Sequence, residues 1–226
     1  MKFKDVFSII GPAMVGPSSS HTAGAVRLGR IAGQLLGELP EKADITFYGS
    51  FAETYQGHGT DIAIAGGLLH YDTDDERIPN SLNIAKNKGI NMTFSNETGS
   101  RLHPNTARLC LSSASRHLNV TGSSIGGGNV QIVNINGFDV SFTGLYPTLV
   151  ITYRDRPGMV AEISGLLWDK QVNISHMEVD RKGRSGEAMM VMEIDNHLPE
   201  EVISKIGRIS GTESVRKMDI TKEVLS

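Results

Sequence analysis

The sequence predicts a mixed α/β (α+β) protein of two domains, the second of which has its strands and helices in the order βαββαβ. A chain of 226 residues is long enough for two ordinary domains with separate cores. Helical and strand-like patterns are mixed along the first part, and a complete new pattern begins directly after a Gly-Leu-Tyr-Pro stretch. We therefore expect a first domain over residues 1–143, a linker over residues 144–147 and a second domain over residues 148–226.

The first domain is predicted to start with a helix, a strand and a second helix. Apolar residues with helical spacing predict a helix from Leu28 that ends near Gly37. Alternating residues predict a strand over residues 44–50, and residues 49–59 are expected to form a loop before a helix that begins near Thr60. A short helix and five extended segments are predicted further on, at residues 80–88, 90–94, 106–112, 118–124, 130–135 and 138–142.

The second domain shows four strand-like and two helical patterns in an unbroken series. The strands are expected at residues 148–153, 172–179, 188–194 and 213–220, and the helices at residues 160–170 and 199–209. Pro199 suits the first turn of the last helix, because a proline needs no backbone N–H partner there. The order βαββαβ predicts a ferredoxin-like sandwich of roughly 75 residues.

Composition and charge exclude several functional classes. Lys and Arg number 22 against 25 Asp and Glu, and no basic block occurs, so nucleic acid is not an expected partner. No run approaches the roughly 18 apolar residues of a membrane span, and no apolar signal-peptide core is visible, so we expect a cytoplasmic protein without a membrane partner. Cys110 is the only cysteine, which excludes an internal disulfide framework and a four-thiolate metal site on one chain.

The most informative stretch is residues 16–24, a serine run that ends in His21 at the start of the first predicted helix. Unpaired backbone N–H groups, hydroxyls, an imidazole and the positive end of the helix dipole converge there, with Arg27 close behind. This collection suits a small carboxylate; the alternative is that one serine caps the helix while its neighbours are solvated. His58 stands similarly before the helix predicted at Thr60, so two positive helix ends would face one pocket.

Two further stretches interrupt the predicted strands. His103-Pro104-Asn105 places a polar, φ-restricted turn between extended segments. The glycines of residues 125–129 either let a ligand or partner approach the main chain or form a flexible connection. Their spacing is not that of a dinucleotide or phosphate loop, so cofactor binding there is excluded.

The second domain resembles an ACT domain, the small module that senses amino acids in metabolic enzymes. The resemblance depends on the βαββαβ order, on Asp155-Arg156-Pro157-Gly158 before the first helix and on Val172-Asn173-Ile174 at the second strand. It implies self-association through this domain and an amino-acid site near those two motifs. The residues implied for that regulatory ligand are Arg156, Gly158, Met159 and Asn173. An ACT fold that only holds subunits together is the open alternative.

The whole chain resembles the beta chain family of bacterial iron-sulfur-dependent L-serine dehydratases. The matching motifs, in order, are Ile10–Pro12, Gly16–Thr22, Gly57–Asp61, His103–Asn105 and Ile125–Gly128. Glu53-Thr54-Tyr55-Gln56 departs from the Thr-Gly-Lys-like approach expected before Gly57, which weakens any cationic substrate contact there. The resemblance implies conversion of L-serine to pyruvate and ammonia with a [4Fe-4S] cluster. That cluster would be held by a cysteine-bearing alpha subunit, in agreement with the single cysteine here.

The resemblance also implies the roles of individual side chains. His21 and His58 are expected to be catalytic, and Ser18, Ser19, Ser20, Thr22, His103 and Asn105 are expected to bind substrate; no metal ligand is assigned to this chain. One alternative is a non-catalytic serine sensor, because the first domain also resembles the allosteric substrate-binding domain beside ACT domains in some phosphoglycerate dehydrogenases. A Ser-His hydrolase is disfavoured, since adjacent Ser20 and His21 rarely point at each other at a helix start and no Gly-x-Ser-x-Gly motif is present.

Overall fold

The structure of the chain is a computed structural model that describes residues 12–98, 103–184 and 186–221. The chain divides into two compact units, one up to Asn136 and one from Gly137 onward. The domain boundaries expected from the sequence, with a linker over residues 144–147, stay a prediction. Ile10 and Gly11 of the first family motif lie outside the described residues.

Within its described residues, the first unit combines four α-helices with five strands, besides a π-helical and a 3-10 turn. The helices are α1 (Gly24–Leu36), α2 (Gly49–His58), α3 (Thr60–Leu68) and α4 (Ser81–Asn87). The strands are β1 (Lys42–Tyr48), β2 (Asn91–Glu97), β3 (Thr106–Ser112), β4 (His117–Gly126) and β5 (Asn129–Ile135). They lie side by side in the order β2-β1-β3-β4-β5. The β1–β2 pair is parallel and the β1–β3, β3–β4 and β4–β5 pairs are antiparallel.

Helices α1 and α3 pack so closely that glycines are required at their contact. A Cβ atom on Gly67 of α3 would lie 2.1 Å from the carbonyl oxygen of Val26, inside contact distance. A Cβ atom on Gly29 of α1 would lie 2.4 Å from the carbonyl oxygen of Ile64. The two backbones therefore touch, and this contact sets how α1, which follows the serine run, sits in the unit.

Residues 49–59 are predicted as a loop, but residues 49–58 form helix α2, so that prediction is wrong. The helix is stabilised by aromatic packing one turn apart: Phe51 meets the ring of Phe47 at 6.1 Å between centroids, and Tyr55 stacks on Phe47 at 4.9 Å. Gly59, with a φ of +66°, ends the helix in the left-handed conformation that suits glycine. The glycines that suggested a loop therefore include the residue that terminates a helix.

The second unit has the predicted βαββαβ order, and the mixed α/β fold class is confirmed. After a first strand β6 (Phe138–Phe142) come β7 (Thr148–Arg154), α5 (Met159–Trp168), β8 (Ile174–Arg181), β9 (Glu187–Ile194), α6 (Glu200–Gly207) and β10 (Thr212–Met218). Four of these strands form an antiparallel sheet in the order β10-β7-β9-β8. Its core is built from apolar side chains of the sheet and both helices, among them Ile151, Ile163, Met190 and Val202.

A buried carboxylate holds the start of this unit. Glu193 on β9 is only 6% exposed. Its Oε1 atom accepts hydrogen bonds from the backbone N–H of Thr143 at 3.0 Å, the hydroxyl of Thr143 at 2.9 Å and the N–H of Gly144 at 3.1 Å. Because these three donors pair with one oxygen of a nearly buried carboxylate, the chain just before β7 is fixed to the sheet.

Among the described residues, no helix is both long enough and apolar enough to cross a membrane.

Candidate active site

The serine run forms one turn of π-helix, Ser19–Ala23, that leads directly into α1. Ser18 precedes it in an extended conformation, and its hydroxyl oxygen accepts the backbone N–H of His21 at 3.1 Å. Ser18 therefore caps the helix, as serine commonly does, and the substrate-binding role expected for Ser18, Ser19, Ser20 and Thr22 stays a prediction. The turn leaves Ser19, Ser20 and His21 partly exposed at the helix start.

The ring of His21 lies among side chains of α2. Its Nε2 atom is 3.3 Å from the hydroxyl oxygen of Ser50, and its Nδ1 atom is 3.4 Å from that of Ser18. The edge of the ring meets Phe51 at 5.1 Å between centroids. The His58 ring lies 4.9 Å from it, tilted by 46°. The structure thus brings together the two histidines that the sequence singled out, although they are far apart along the chain.

His58 reaches this position by a route that the sequence analysis did not predict. We expect His58 to stand just before a helix that begins near Thr60, and α3 begins there; His58 is also the last residue of α2, and Gly59 separates the two helices. The second helix start near His21 is that of α2, where Ser50 lies. The predicted helix start directly after His58 is therefore present, and so is the contact between the two rings; helix α2, which ends at His58, was not predicted.

The environment of His21 favours its neutral form. Burial lowers the pKa of His21 below its ordinary value of 6.5, because the charged imidazolium loses solvation, and the neighbouring His58 lowers this pKa further. A backbone hydrogen bond to Ser50 acts in the opposite direction and is the smallest of the three effects. At pH 7 the His21 ring is therefore an available proton acceptor.

We expect a nuclear magnetic resonance titration of the full chain to give His21 a pKa below 6.5. In the His58→Gln variant this pKa should rise, since the neighbouring charge is removed, and it should stay below 6.5 because burial remains the larger effect. A His21 pKa that is unchanged in that variant would show that the two rings do not interact in solution.

The loop at residues 103–105 contacts the start of α2 through its backbone. The carbonyl oxygen of Pro104 accepts the N–H of Phe51 at 3.3 Å. The His103 ring is exposed and accepts the N–H of Asn105 at 3.2 Å through Nδ1. The carbonyl oxygen of Asn105 accepts the N–H of Ser124 at 2.9 Å. These contacts make the loop a support for α2; the substrate-binding role expected for His103 and Asn105 stays a prediction.

The glycine-rich stretch is a tight turn between β4 and β5. Gly127 and Gly128 have φ values of +60° and +75°, the left-handed pair that a two-residue hairpin turn requires. A Cβ atom on Gly128 would lie 2.8 Å from Pro12 and 3.4 Å from the side chain of Ala23. Its carbonyl oxygen accepts a hydrogen bond from Arg27 at 2.8 Å. Ala23 of the serine run therefore packs closely against this turn, and the hydrogen bond from Arg27 joins the turn to α1.

Two hydroxyls buried beside the serine run have no hydrogen-bond partner in the described part of the chain. Thr22 is 3% exposed, and a Cβ atom on Gly16 would lie 2.4 Å from its methyl group. Ser124 is fully buried, and a Cβ atom on Gly24 would lie 2.1 Å from its hydroxyl oxygen. Leaving such groups unpaired costs about 1–3 kcal/mol each, so this helix start carries unused hydrogen-bonding capacity.

The residues expected to bind a regulatory ligand in the second unit already have partners. The Arg156 guanidinium makes two hydrogen bonds to Glu162, at 2.8 and 2.9 Å, and a third to the carbonyl oxygen of Ser210 at 3.0 Å. Met159 is buried in the core, and Gly158 has a φ of +93° before α5. Of the four predicted residues, Arg156 and Met159 therefore support the fold.

Asn173 is the predicted residue that faces a cavity. A surface cavity of about 350 Å³ is lined by Ser164, Trp168, Gln171, Val172, Asn173 and Ile174. The Asn173 amide also donates to Asp195 at 2.9 Å. Trp168, which is 72% exposed, was not singled out in the sequence; its place on the last turn of α5 is visible only once the helix is located.

The βαββαβ sandwich of the second unit is an ACT domain, and it follows an α/β unit in which two histidine rings are in contact. Residues 148–211 match the ACT domain family, and residues 3–134 match the family described as serine dehydratase beta chain. The chain belongs to the serine dehydratase beta chain family.

Named relatives agree with this membership. The chain is 44% identical to the probable L-serine dehydratase, beta chain, of Bacillus subtilis (strain 168), over 96% of this chain and 99% of that protein. It is 38% identical to the L-serine dehydratase, beta chain, of Peptoniphilus asaccharolyticus, over 88% of this chain and 91% of that protein. A more distant relative, D-3-phosphoglycerate dehydrogenase of Bacillus subtilis (strain 168), is 25% identical over 87% of this chain and 37% of that enzyme.

Proposed function

We propose that this chain is the beta subunit of an L-serine dehydratase and supplies one wall of the active site that converts L-serine to pyruvate and ammonia. The observation that carries the proposal is the pair of His21 and His58, with ring centroids 4.9 Å apart, at a serine-rich helix start. Membership of the serine dehydratase beta chain family, and the names of the two most similar relatives described above, support it.

The reaction needs a base for the α-proton of serine and a site that holds the substrate carboxylate. The α-proton of serine is weakly acidic, so a base must accept it as hydroxide leaves the β-carbon and an enamine forms. The enamine then takes up a proton on carbon and hydrolyses to pyruvate and ammonia. Neutral His21 is the candidate base, and His58 beside it is the candidate group for moving a proton onward. The start of the Ser19–Ala23 turn, which carries the hydroxyls of Ser19 and Ser20 and leads into α1, suits the substrate carboxylate.

The [4Fe-4S] cluster implied by the family does not fit the residues of this chain. Cys110, the single cysteine, lies on β3 and is partly exposed, whereas such a cluster needs several thiolates. Residues 12–98, 103–184 and 186–221 contain no group of three His, Cys, Asp or Glu side chains able to hold a metal ion. We therefore place the cluster on a cysteine-bearing alpha subunit, which makes this chain one part of a shared active site.

The decisive experiment is to purify the chain together with its cysteine-bearing partner under nitrogen and to assay pyruvate formed from L-serine. We expect turnover only when both chains are present. If the chain alone, freed of metal and of any partner, converts serine to pyruvate, the proposal is wrong. If the loaded complex binds serine and forms no pyruvate, the proposal also fails.

A second candidate function is serine sensing without catalysis. The similarity to D-3-phosphoglycerate dehydrogenase covers 87% of this chain and only 37% of that enzyme, so the shared region is an accessory part of the larger chain. On this alternative, serine binds tightly to the isolated chain, and His21 variants lose binding while the complex keeps its turnover.

We also propose that the chain self-associates through its ACT domain. Strand β8 is an edge of the four-stranded sheet, and its side chains Met177 and Val179 are each 40% exposed. An edge strand with apolar side chains is a ready surface for a second copy. Asn173, one of the residues implied for an amino-acid ligand, lines a surface cavity of this domain.

A further inference from the structure

Ser50 lies outside every family motif quoted above, yet its side chain contacts His21, the candidate base. Its hydroxyl oxygen lies 3.3 Å from Nε2 of His21, and the two residues are 29 positions apart. We propose that Ser50 is a positioning residue, which holds the His21 ring in one orientation and one tautomer for proton transfer. This inference rests on the proposed function, because it assigns Ser50 a role only through His21.

The backbone at Ser50 is fixed by the loop that precedes β3, the neighbouring strand of β1. Gly49 has a φ of +55°, and a Cβ atom on it would lie 2.6 Å from the carbonyl oxygen of Pro104. That same oxygen accepts the N–H of Phe51 at 3.3 Å. One turn later, the hydroxyl of Thr54 donates to the carbonyl oxygen of Ser50 at 2.7 Å. Contacts on both sides of Ser50 and at its own carbonyl therefore fix the backbone that carries its hydroxyl before any substrate binds.

The opposite edge of the ring faces a second hydroxyl. Nδ1 lies 3.4 Å from Ser18, whose oxygen already accepts the backbone N–H of His21. A neutral imidazole has one N–H donor and one acceptor nitrogen, so one serine must accept from the ring and the other must donate to it. Because the Ser18 oxygen already accepts a backbone N–H, its own O–H is directed to Nδ1, and the N–H at Nε2 then donates to Ser50. In this arrangement the two serines select the tautomer that carries its proton on Nε2.

Ser50 is a cleaner probe of this arrangement than Ser18. Replacing Ser18 would remove the cap of the serine turn as well as the ring contact, so a loss of activity would have two explanations. Ser50 makes no side-chain cap at the start of α2. Its substitution by alanine therefore removes the ring contact and leaves the helix start unchanged.

The test compares Ser50→Ala and Ser50→Thr with a control, Ser95→Ala. Ser95 lies on β2, and its hydroxyl donates to that of Thr46 at 3.2 Å. Nitrogen-15 shifts of the His21 ring in the full chain report its tautomer without any turnover. We expect Ser50→Ala to mix the tautomers, Ser50→Thr to restore the wild-type shifts and Ser95→Ala to leave them unchanged. In the complex with the alpha subunit, Ser50→Ala should lower kcat by about tenfold and leave KM within about twofold.

The outcomes separate this inference from the proposed function. Unchanged ring shifts and unchanged kcat in Ser50→Ala, in a complex that His21→Ala inactivates, would overturn the positioning role alone. Altered ring shifts in Ser50→Ala, in a complex whose turnover does not respond to His21→Ala, would support the positioning of the ring and overturn the catalytic role of His21. A failure of Ser50→Thr to restore either signal would also contradict the inference, because that variant retains the hydroxyl.

Discussion

Replacing His21 by alanine is expected to lower serine turnover in the two-chain complex by at least about 100-fold, the usual contribution of a positioned proton-transfer group. The expectation follows from the geometry of the ring, which lies 3.3 Å from Ser50 and has its centroid 4.9 Å from that of His58. It also follows from the lowered pKa of His21, since burial keeps the imidazole neutral and able to accept a proton. The measurement is kcat for pyruvate formation under anaerobic conditions.

The control for this prediction is His117→Ala. His117 is exposed at the start of β4, and its removal takes away an imidazole without touching the pair. The variant should therefore turn over at the wild-type rate. His58→Ala belongs in the same series and is expected to lose activity by a similar factor, because it removes the second ring of the pair. Near-normal turnover in both His21→Ala and His58→Ala would remove the histidines from the mechanism.

The second large predicted effect is a loss of stability when an alanine replaces a glycine at the contact between α1 and α3. Gly67→Ala should lower the free energy of unfolding of the first unit by about 1–3 kcal/mol, the usual cost of overpacking a close contact. The reason is the distance of 2.1 Å between the added Cβ atom and the carbonyl oxygen of Val26, which only a shift of one helix can relieve. Urea unfolding followed by circular dichroism would measure the change, with the two units treated as separate transitions.

Gly57→Ala is the matched control for Gly67→Ala. Gly57 also lies in a helix of the first unit, α2, and a Cβ atom there would meet nothing within 4 Å. This substitution should be neutral or stabilising by about 0.5–1 kcal/mol, because alanine favours the helix more than glycine does. If the two variants unfold at the same urea concentration, the close crossing of α1 and α3 does not exist in solution.

Local patterns predicted the parts of the fold that are regular over many residues. The second unit follows the predicted βαββαβ order, because its strands alternate and its helices carry one apolar face. The helix after His21 begins directly after the serine turn, as the cap and the helical spacing of Leu28 and its neighbours indicated. These features depend on contacts between residues a few positions apart, so the sequence pattern alone predicts them.

The errors and omissions lie where distant segments decide the structure. Helix α2 was missed because its glycines indicate a loop, and its stability comes from aromatic packing on Phe47 of the preceding strand. Ser50 was therefore not recognised as a partner of His21, since that contact exists only when residues 49–58 are helical. Likewise, the ion pair that occupies Arg156 depends on a rotamer choice that no motif specifies.

The hydrogen bonds of the Glu193 carboxylate limit where the chain can be truncated to isolate the ACT domain. A fragment that starts at Thr148, the first residue of the matched ACT region, would lack all three donors from Thr143 and Gly144. The nearly buried carboxylate would then lack those three hydrogen bonds, which lowers the stability of the fragment. Truncations meant to yield an autonomous regulatory module should accordingly begin upstream of Thr143.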